Sequence, residues 1–308
     1  QRHKIFYALK KGKNIKKFIP LYLMMLPGIA YLIINNYLPM FGLTMAFKDI
    51  NWQKGILGSE WNGLKNFKYL FATKEAFLIT RNTLLYNVVF IILGIICALF
   101  VAIALNEVRN TRHRKIYQTV ILIPNLISMV IVNYLVFTML SNETGSILPM
   151  LGLPAIDWYM SPKYWPFILT IVNIWKGTGF TAIIYYASII GISGENYEAA
   201  RLDGASRWQQ IKMITIPLIK PTIILMFIMN CGRIMNSDFG LFYQIPRDSG
   251  ALYSVTQTLD TYVYRALMKT GNIPMSMAAS AYQSIVGFAL VMAANGVAKK
   301  FSKENALF

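Results

Sequence analysis

The sequence predicts an all-α integral membrane protein of six transmembrane helices, and three observations predict it. Of its 308 residues, 56% are hydrophobic and only 14% charged, where a soluble domain carries about a quarter charged. The apolar residues gather into six runs, each near the roughly 20 residues that a helix needs to cross hydrocarbon. Lys and Arg fall between the runs with the asymmetry that membrane topology imposes. The net charge of +17 need not signal nucleic acid, because Lys and Arg collect in cytoplasmic loops for reasons of topology; the partner expected is a lipid bilayer and no nucleic acid. Cys97 and Cys231 both lie inside apolar runs, so no disulfide framework is expected.

Residues 1–17 hold seven Lys or Arg and no acid, which keeps this segment in the cytoplasm. The apolar run that follows has no small-residue cleavage site, as expected of a retained anchor rather than a signal peptide. The first span is expected at about Phe18 to Pro39, with Pro20 and Pro27-Gly28 inside it. Residues 47–81 form an outer loop. Within its GLKNFKYLF stretch, Leu64, Phe67, Leu70 and Phe71 share a helical face, the mark of a short helix on the membrane surface. The second span, about Leu84 to Leu105, ends at the basic turn EVRNTRHRK. The third, about Tyr117 to Leu140, contains Pro124-Asn125 and Asn133-Tyr134.

A proline-bearing outer loop at 141–163 leads to the fourth span, about Pro166 to Ile190. The fifth span is expected at about Thr222 to Phe242 and is polar in its second half. An outer segment with an amphipathic helix near Tyr253 to Met268 precedes the sixth, about Met277 to Ala298. Gly and Ala residues of the second and sixth spans read as helix-contact positions. One six-span domain thus covers 18–298, and a tail covers 299–308. Six spans put both termini on one side. The segments on that side hold 18 Lys or Arg and the opposite segments 10, so both termini are placed in the cytoplasm.

The loop between the fourth and fifth spans, about 191–220, carries the most specific signal. Tyr197 to Pro217 reads YEAARLDGASRWQQIKMITIP, matching EAA-x3-G-x9-I-x-L-P with Ile216 where Leu is usual. Glu198, Ala199 and Ala200 are expected to begin a short helix, capped by Asn196 or Ser193, with Glu198 in its first turn. The two alanines let another protein approach closely. Gly204 permits a reversal that a Cβ would resist, and Pro217 and Pro221 mark the return into the bilayer.

This loop resembles that of the permease subunits of ABC importers, the inner-membrane components of binding-protein-dependent transport. PGIAYLIINNYLPMFGLTMAFKDI (Pro27 to Ile50), GLKNFKYLF, DFG (Asp238 to Gly240) and TLDTYVYR (Thr258 to Arg265) are similar to the LplB-like branch. That branch imports oligosaccharides and polysaccharide fragments and includes alginate-type importers. The resemblance covers nearly the whole chain. It implies a type I importer (MetI-like) permease fold in the bacterial cytoplasmic membrane. It also implies a homologous but distinct second permease, two ATP-binding subunits and an extracytoplasmic solute-binding protein. The loop would enter a groove on the ATPase through Glu198, Ala199, Ala200, Asp203, Gly204 and Ala205, with Glu198 meeting a basic residue there. The chain lacks the phosphate loop GxxxxGK[ST]. ATP and Mg therefore belong to the partner ATPase, and no cofactor is expected on this chain.

Polar groups inside the spans are the substrate-pathway candidates, because an ionisable group in hydrocarbon is costly unless it faces a cavity or a partner. Sugars call for planar hydrogen-bonding side chains and aromatic faces. Asn230, Arg233, Asn236 and Asp238 of the fifth span supply the former, and the three-residue spacing of the first three puts them on one helical face. Tyr134, Trp175 and Tyr282 offer aromatic surface, and Asn133, Asn173, Lys176 and Gln283 add polar groups. Plainer readings stand beside these. Arg233 pairs with Asp238 or a helix carbonyl, Lys176 makes an interior hydrogen bond that fixes packing, and Trp175 and Tyr282 are packing aromatics.

Lys176 and Arg233 are the only basic residues deep in the spans, against Asp238 as the one nearby acid. The first outer loop holds six Lys or Arg against three acids. Both facts lean the substrate towards an acidic, uronate-type oligosaccharide of the alginate or pectin kind, with a neutral oligosaccharide as the alternative. A gated channel could line its pore with the polar fifth span, but it leaves the loop spacing unexplained. Catalysis is not expected, nor a metal site. His3 and His113 lie far from any site, no His/Cys cluster offers ligands, and neither GxSxG nor HExxH is present.

Overall fold

The computed structural model describes residues 15–141 and 156–301. The basic segment 1–14, residues 142–155 of the second outer loop and the tail 302–308 lie outside the described residues. Helix α1 (Ile15–Leu32) continues through a π turn (Ile33–Tyr37) and the turn Leu38–Met40 into a 3-10 stretch (Phe41–Phe47). The first span therefore reaches from Phe18 to Phe47, well past Pro39. A proline inside a helix lacks an N–H, and its ring presses on the carbonyl four residues back. The π turn loosens the helix just ahead of Pro39, so the chain passes through it without breaking.

Outside the span, strand β1 (Lys48–Asp49) pairs antiparallel with β2 (Glu60–Trp61). The buried Lys48 ammonium holds this hairpin by donating to the Ile56 and Leu57 carbonyls at 2.9 and 3.0 Å. Helix α2 (Lys65–Ala72) is the expected surface helix. It buries Leu70 and leaves Phe71 exposed, as is Leu64 just ahead of it, so only part of the expected apolar face packs on the protein. Helix α3 (Lys74–Glu107) starts well before Leu84.

The third span is not one helix. Helix α4 (Thr111–Leu126) and helix α5 (Met129–Leu140) meet at 92°. Pro124 strips a hydrogen bond from the last turns of α4. Ser128 then takes an extended conformation and caps α5 by accepting the Ile131 N–H at 3.4 Å. Among the described residues, five helices are long and apolar enough to cross a membrane, and the bent pair, taken as one span, makes a sixth.

Helix α6 (Trp165–Ile190) leads into the loop helix α7 (Gly194–Leu202). Helix α8 (Arg207–Cys231) contains a π turn at Ile211–Thr215, placed ahead of Pro217 as the earlier one is ahead of Pro39. It stops at Cys231, so the expected span to Phe242 is wrong in its second half. Residues 232–238 follow without regular helix, then a π turn at Gly240–Gln244. The expected outer amphipathic helix is two pieces, Tyr253–Thr256 and α9 (Leu259–Met268). Thr258 caps α9, with its own N–H donating to Thr261 Oγ1 at 2.9 Å. Helix α10 (Ile273–Phe301) is the last span.

Two cores join α3 to α6. In one, the fully buried Ala98, Ala102 and Ala182 lie among Leu105, Tyr185, Ile189 and Ile219. Small residues let backbones approach where lipid supplies no hydrophobic drive. The other gathers Tyr86, Trp165, Leu169 and Val172 with Val132 of α5 and Leu241, Phe242 and Ile245. By contrast the stem of α1 is exposed along its length. Only its end packs on the body, with Ala46 against Ala278 and Ala281.

Candidate functional site

The loop helix α7 begins at Gly194, so Glu198 sits in its second turn and Glu195 is the acid of the first. The earlier start corrects the expected position of Glu198. Ser193 occupies the cap position without a side-chain cap hydrogen bond, and Asn196 lies inside the helix. At the other end the Gly204 N–H donates to Arg201 at 3.0 Å, and the Ala205 N–H reaches back to Ala200 at 2.8 Å. These two bonds form a Schellman closure. It requires a left-handed residue at Gly204, where φ is +78°. The EAA-to-glycine spacing is therefore the geometry of a helix end. The last alanine supplies the carbonyl, and the glycine supplies the turn that closes on it.

The loop is braced against α8. Tyr197 OH and Thr215 Oγ1 are 2.9 Å apart, and Gln210 Nε2 donates to the Ala205 carbonyl at 3.0 Å. Ser206 and Gln209 form a capping box at the start of α8. Glu198, Ala199, Asp203 and Gly204 are exposed, and Ala200 and Ala205 half-buried. Leu202 is 90% exposed, with Trp208 and Met213 uncovered nearby. The result is a rigid knob with an apolar rim, a form suited to a protein groove.

A cavity of about 270 Å³ lies between the middle turns of α3 and α6 and the end of α8. Five of the sequence-derived pathway residues come together around it: Asn173, Asn230, Arg233, Asn236 and Asp238. The last three lie past the end of α8, not on a helical face. Arg233 and Asn236 follow in tight turns, their N–H groups donating to Asn230 and Arg233 at 3.0 and 2.9 Å. Irregular backbone at membrane depth survives where it lines a polar cavity or is buried in protein. Gly94 and Gly177 leave room there, since an added Cβ at either meets nothing within 4 Å. The Thr178 hydroxyl on the same wall is buried without a hydrogen-bond partner among the described residues.

Side chains that the sequence reading passed over hold this irregular segment. Asn87 of α3 donates to the carbonyls of Ile234 and Asn236, both at 2.9 Å. Asp260 of α9 accepts the Ser237 N–H at 2.6 Å and its hydroxyl at 2.8 Å. A lone Asn in an apolar run was the signal for the first, and nothing in the sequence marked the second. Gln283, taken from sequence as a pathway residue, instead braces the segment. Its amide nitrogen donates to Met235 at 2.8 Å and to Asp260 at 3.2 Å.

The remaining candidates do not line the cavity. Tyr282 packs edge-on against Phe71 with centroids 5.1 Å apart, the packing role held open for it. Tyr134 and Trp175 are exposed, and the side-chain amide oxygen of Asn133 is buried without a hydrogen-bond partner among the described residues. Lys176 donates to the carbonyls of Pro124 at 3.2 Å, Asn125 at 3.0 Å and Ile127 at the elbow of the third span. That is the interior-bond reading, so the two-to-one cation balance falls to Arg233 against Asp238. Those two are not paired. Asp238 Oδ1 accepts the Leu241 N–H at 3.0 Å, and the Arg233 guanidinium forms no ion pair among the described residues.

Past the segment, Arg247 and Asp248 adopt φ of +54° and +50°. Asp248 Oδ1 lies 2.7 Å from Nη2 of the buried Arg265, while its other oxygen takes Lys269. Burial alone would raise the Asp248 pKa, but hydrogen bonds from Lys269 and Arg265 hold it below the usual carboxylate range. Arg265 stacks 4.0 Å from the Tyr253 ring and Arg247 4.0 Å from Phe137 of α5, tying this loop to two helices.

Comparison with known proteins adds the following. Residues 90–300 match the family described as binding-protein-dependent transport system inner membrane component. The chain is 36% identical to the polygalacturonan/rhamnogalacturonan transport system permease protein YteP of Bacillus subtilis (strain 168), over 97% of this chain and 95% of that one. It is 34% identical to protein LplB of the same organism, over 96% and 92%. Its structure is similar to a chain of a crystallised bacterial ABC transporter involved in the import of the acidic polysaccharide alginate. The TM-score is 0.86 at 33% identity, over 94% of this chain and 98% of that one. A second similar structure is of a bacterial alginate ABC transporter in complex with alginate pentasaccharide-bound periplasmic protein, with TM-score 0.85, 33% identity and the same coverage of 94% and 98%.

Proposed function

The chain belongs to the binding-protein-dependent transport system inner membrane components, and on that premise we propose that it passes an acidic oligosaccharide through the membrane for an ATP-driven importer. It is an integral inner-membrane sugar permease of the LplB-like type. The observation that carries the acidic reading is Arg233, a guanidinium at the cavity without an ion pair among the described residues. Its fork matches a uronate carboxylate in bidentate fashion, and Asn173, Asn230 and Asn236 offer amides to neutral hydroxyls. The relative named for polygalacturonan and the neighbour importing alginate support the same substrate class.

Membership of this family supports the rest of the proposed machine. The exposed knob of α7 docks on one of two ATPases, which hold ATP and Mg. A second, homologous permease completes the pathway. An extracytoplasmic binding protein delivers the sugar, as a periplasmic protein is bound in the neighbouring structure. Both termini face the cytoplasm, with the ATPases.

The test is uptake in proteoliposomes holding the partner permease, ATPase and binding protein, with acidic and neutral oligosaccharides of equal length. Arg233→Gln removes a charged hydrogen bond worth about 1.5–3 kcal/mol, so acidic uptake falls by roughly 10- to 100-fold while neutral uptake holds. Preference of the wild type for the neutral sugar, or equal loss of both in the variant, refutes the acidic reading.

A further inference from the structure

We propose that Lys176 is the pin through which α6 moves the broken third span. The inference rests on the reading of the chain as an ATP-coupled permease. A helix leaves its last carbonyls without partners, and the elbow between α4 and α5 leaves them inside a membrane span. The Lys176 ammonium has three N–H donors. They go to the carbonyls of Pro124, Asn125 and Ile127, one for each. One turn along α6, Gly179 lets the helices touch backbone to backbone, since an added Cβ there would lie 1.8 Å from the Ile121 carbonyl oxygen. The middle of α6 is thus fastened to the end of α4 at two adjacent points.

What lies on either side of the pin gives it a use. Three residues, 191–193, separate α6 from the coupling helix α7, so displacement of the knob passes directly into α6. Past the elbow, Met129 presses on Gly240, where an added Cβ would fall 2.8 Å from its Cβ and Cγ. Val132 packs with Leu241 and Phe242. Those residues follow Asn236 and Asp238 of the cavity. A continuous path of contacts therefore runs from the knob through α6, Lys176 and the elbow to the far wall of the cavity. Hydrocarbon offers the three carbonyls no replacement donors, so α6 drags the elbow when it moves. Lys176 is a positioning residue and touches no substrate.

Spatial continuity alone does not prove coupling, so the test reads motion and energy use separately. Assemble the importer with its partners in proteoliposomes, as wild type, Lys176→Met, which keeps the stem but removes the donors, and Lys176→Arg, which restores donors. In each, replace Cys97 and Cys231 by Ser and place spin labels at the exposed positions Thr138 of α5 and Phe180 of α6. In the wild type the label distance stays fixed between nucleotide-free and ATP-bound states. Lys176→Met assembles with basal ATPase within about twofold of wild type, loses tenfold or more of sugar-stimulated ATPase and uptake, and shows a label distance that changes with nucleotide. Lys176→Arg recovers most of the stimulation. A label distance that changes in the wild type overturns the proposal whatever the variants do, as does a Lys176→Met importer that is stimulated and transports normally. A wild-type importer without sugar-stimulated ATPase instead refutes the permease reading beneath it.

Discussion

Gly177 and Gly179, two residues apart on α6, one at the cavity and one against α4, test how that helix packs. Replacing a helical glycine by alanine gains about 0.5–1 kcal/mol from backbone propensity. At Gly177 an added Cβ meets nothing within 4 Å, so that gain stands. At Gly179 the same methyl would sit 1.8 Å from the Ile121 oxygen and 2.6 Å from its carbonyl carbon. Both are backbone atoms and cannot swing aside. Restoring ordinary contact moves α6 away from α4 by roughly 1.5 Å, and overpacking of this kind costs about 1–3 kcal/mol. The same retreat stretches the Lys176 bonds to Pro124 and Asn125, now 3.2 and 3.0 Å, and forfeits part of the about 1.5–3 kcal/mol that each charged bond is worth. The propensity gain is common to both variants and cancels. Gly179→Ala is therefore less stable than Gly177→Ala by about 3 kcal/mol. Heating the purified complex in one detergent and measuring the fraction that stays monodisperse gives apparent midpoints, because unfolding of such assemblies is irreversible. The Gly179→Ala midpoint falls about 5 °C or more below that of Gly177→Ala, which matches or exceeds wild type. Coincident midpoints refute the backbone contact between α4 and α6.

At the coupling knob, Glu198→Lys sets like charges against the expected basic residue of the ATPase at a cost of about 2–5 kcal/mol. Uptake falls while expression and pairing with the second permease persist. Gly204→Val forces a branched side chain to a φ of +78°, costing about 1–2 kcal/mol, with the same phenotype. Normal uptake by both at normal expression removes the coupling assignment. In the outer loop, Asp248→Asn leaves the buried Arg265 unpaired at a cost of roughly 3–5 kcal/mol, and limited proteolysis near Arg247 accelerates. Because the folded Asp248 pKa is lowered, its stabilisation is complete above the unfolded value of about 3.9 and is lost as pH falls through the folded value. Wild-type protection therefore holds down to about pH 4 and declines below it. A wild-type profile as flat as that of the Asn variant across this window contradicts the pairing.

What the sequence made legible was local. The Schellman closure of α7 involves residues five apart at most, so the EAA spacing and Gly204 could be read from the chain as written. The spans were legible because crossing hydrocarbon demands length and apolarity, which hydropathy measures. Hydropathy does not measure direction. It passes over the 92° elbow, although Pro124 and Ser128 stood in view as a stop and a fresh start. The polarity of the fifth span was seen, yet it marked the end of a helix rather than one face of it. Arg233, Asn236 and Asp238 reach the cavity because Asn87 and Asp260, distant in sequence, hold their backbone in turns. Lys176 was read as a binding charge or a packing bond. Only the position of the α4 carbonyls decides between these, and that position belongs to the tertiary structure.

The bare stem of α1 has a consequence for how such a protein is made. Membrane helices first insert one by one as independent units and then associate side by side. From Phe18 to Phe41 this helix completes the insertion step and almost none of the association step within its own chain. Its end alone is moored, where Ala46 meets α10. A copy synthesised without company therefore carries an unclaimed helix in the bilayer, available to any matching neighbour and visible to membrane proteases. The exposed stem predicts that a copy made without a partner to cover it is degraded faster than one made with it.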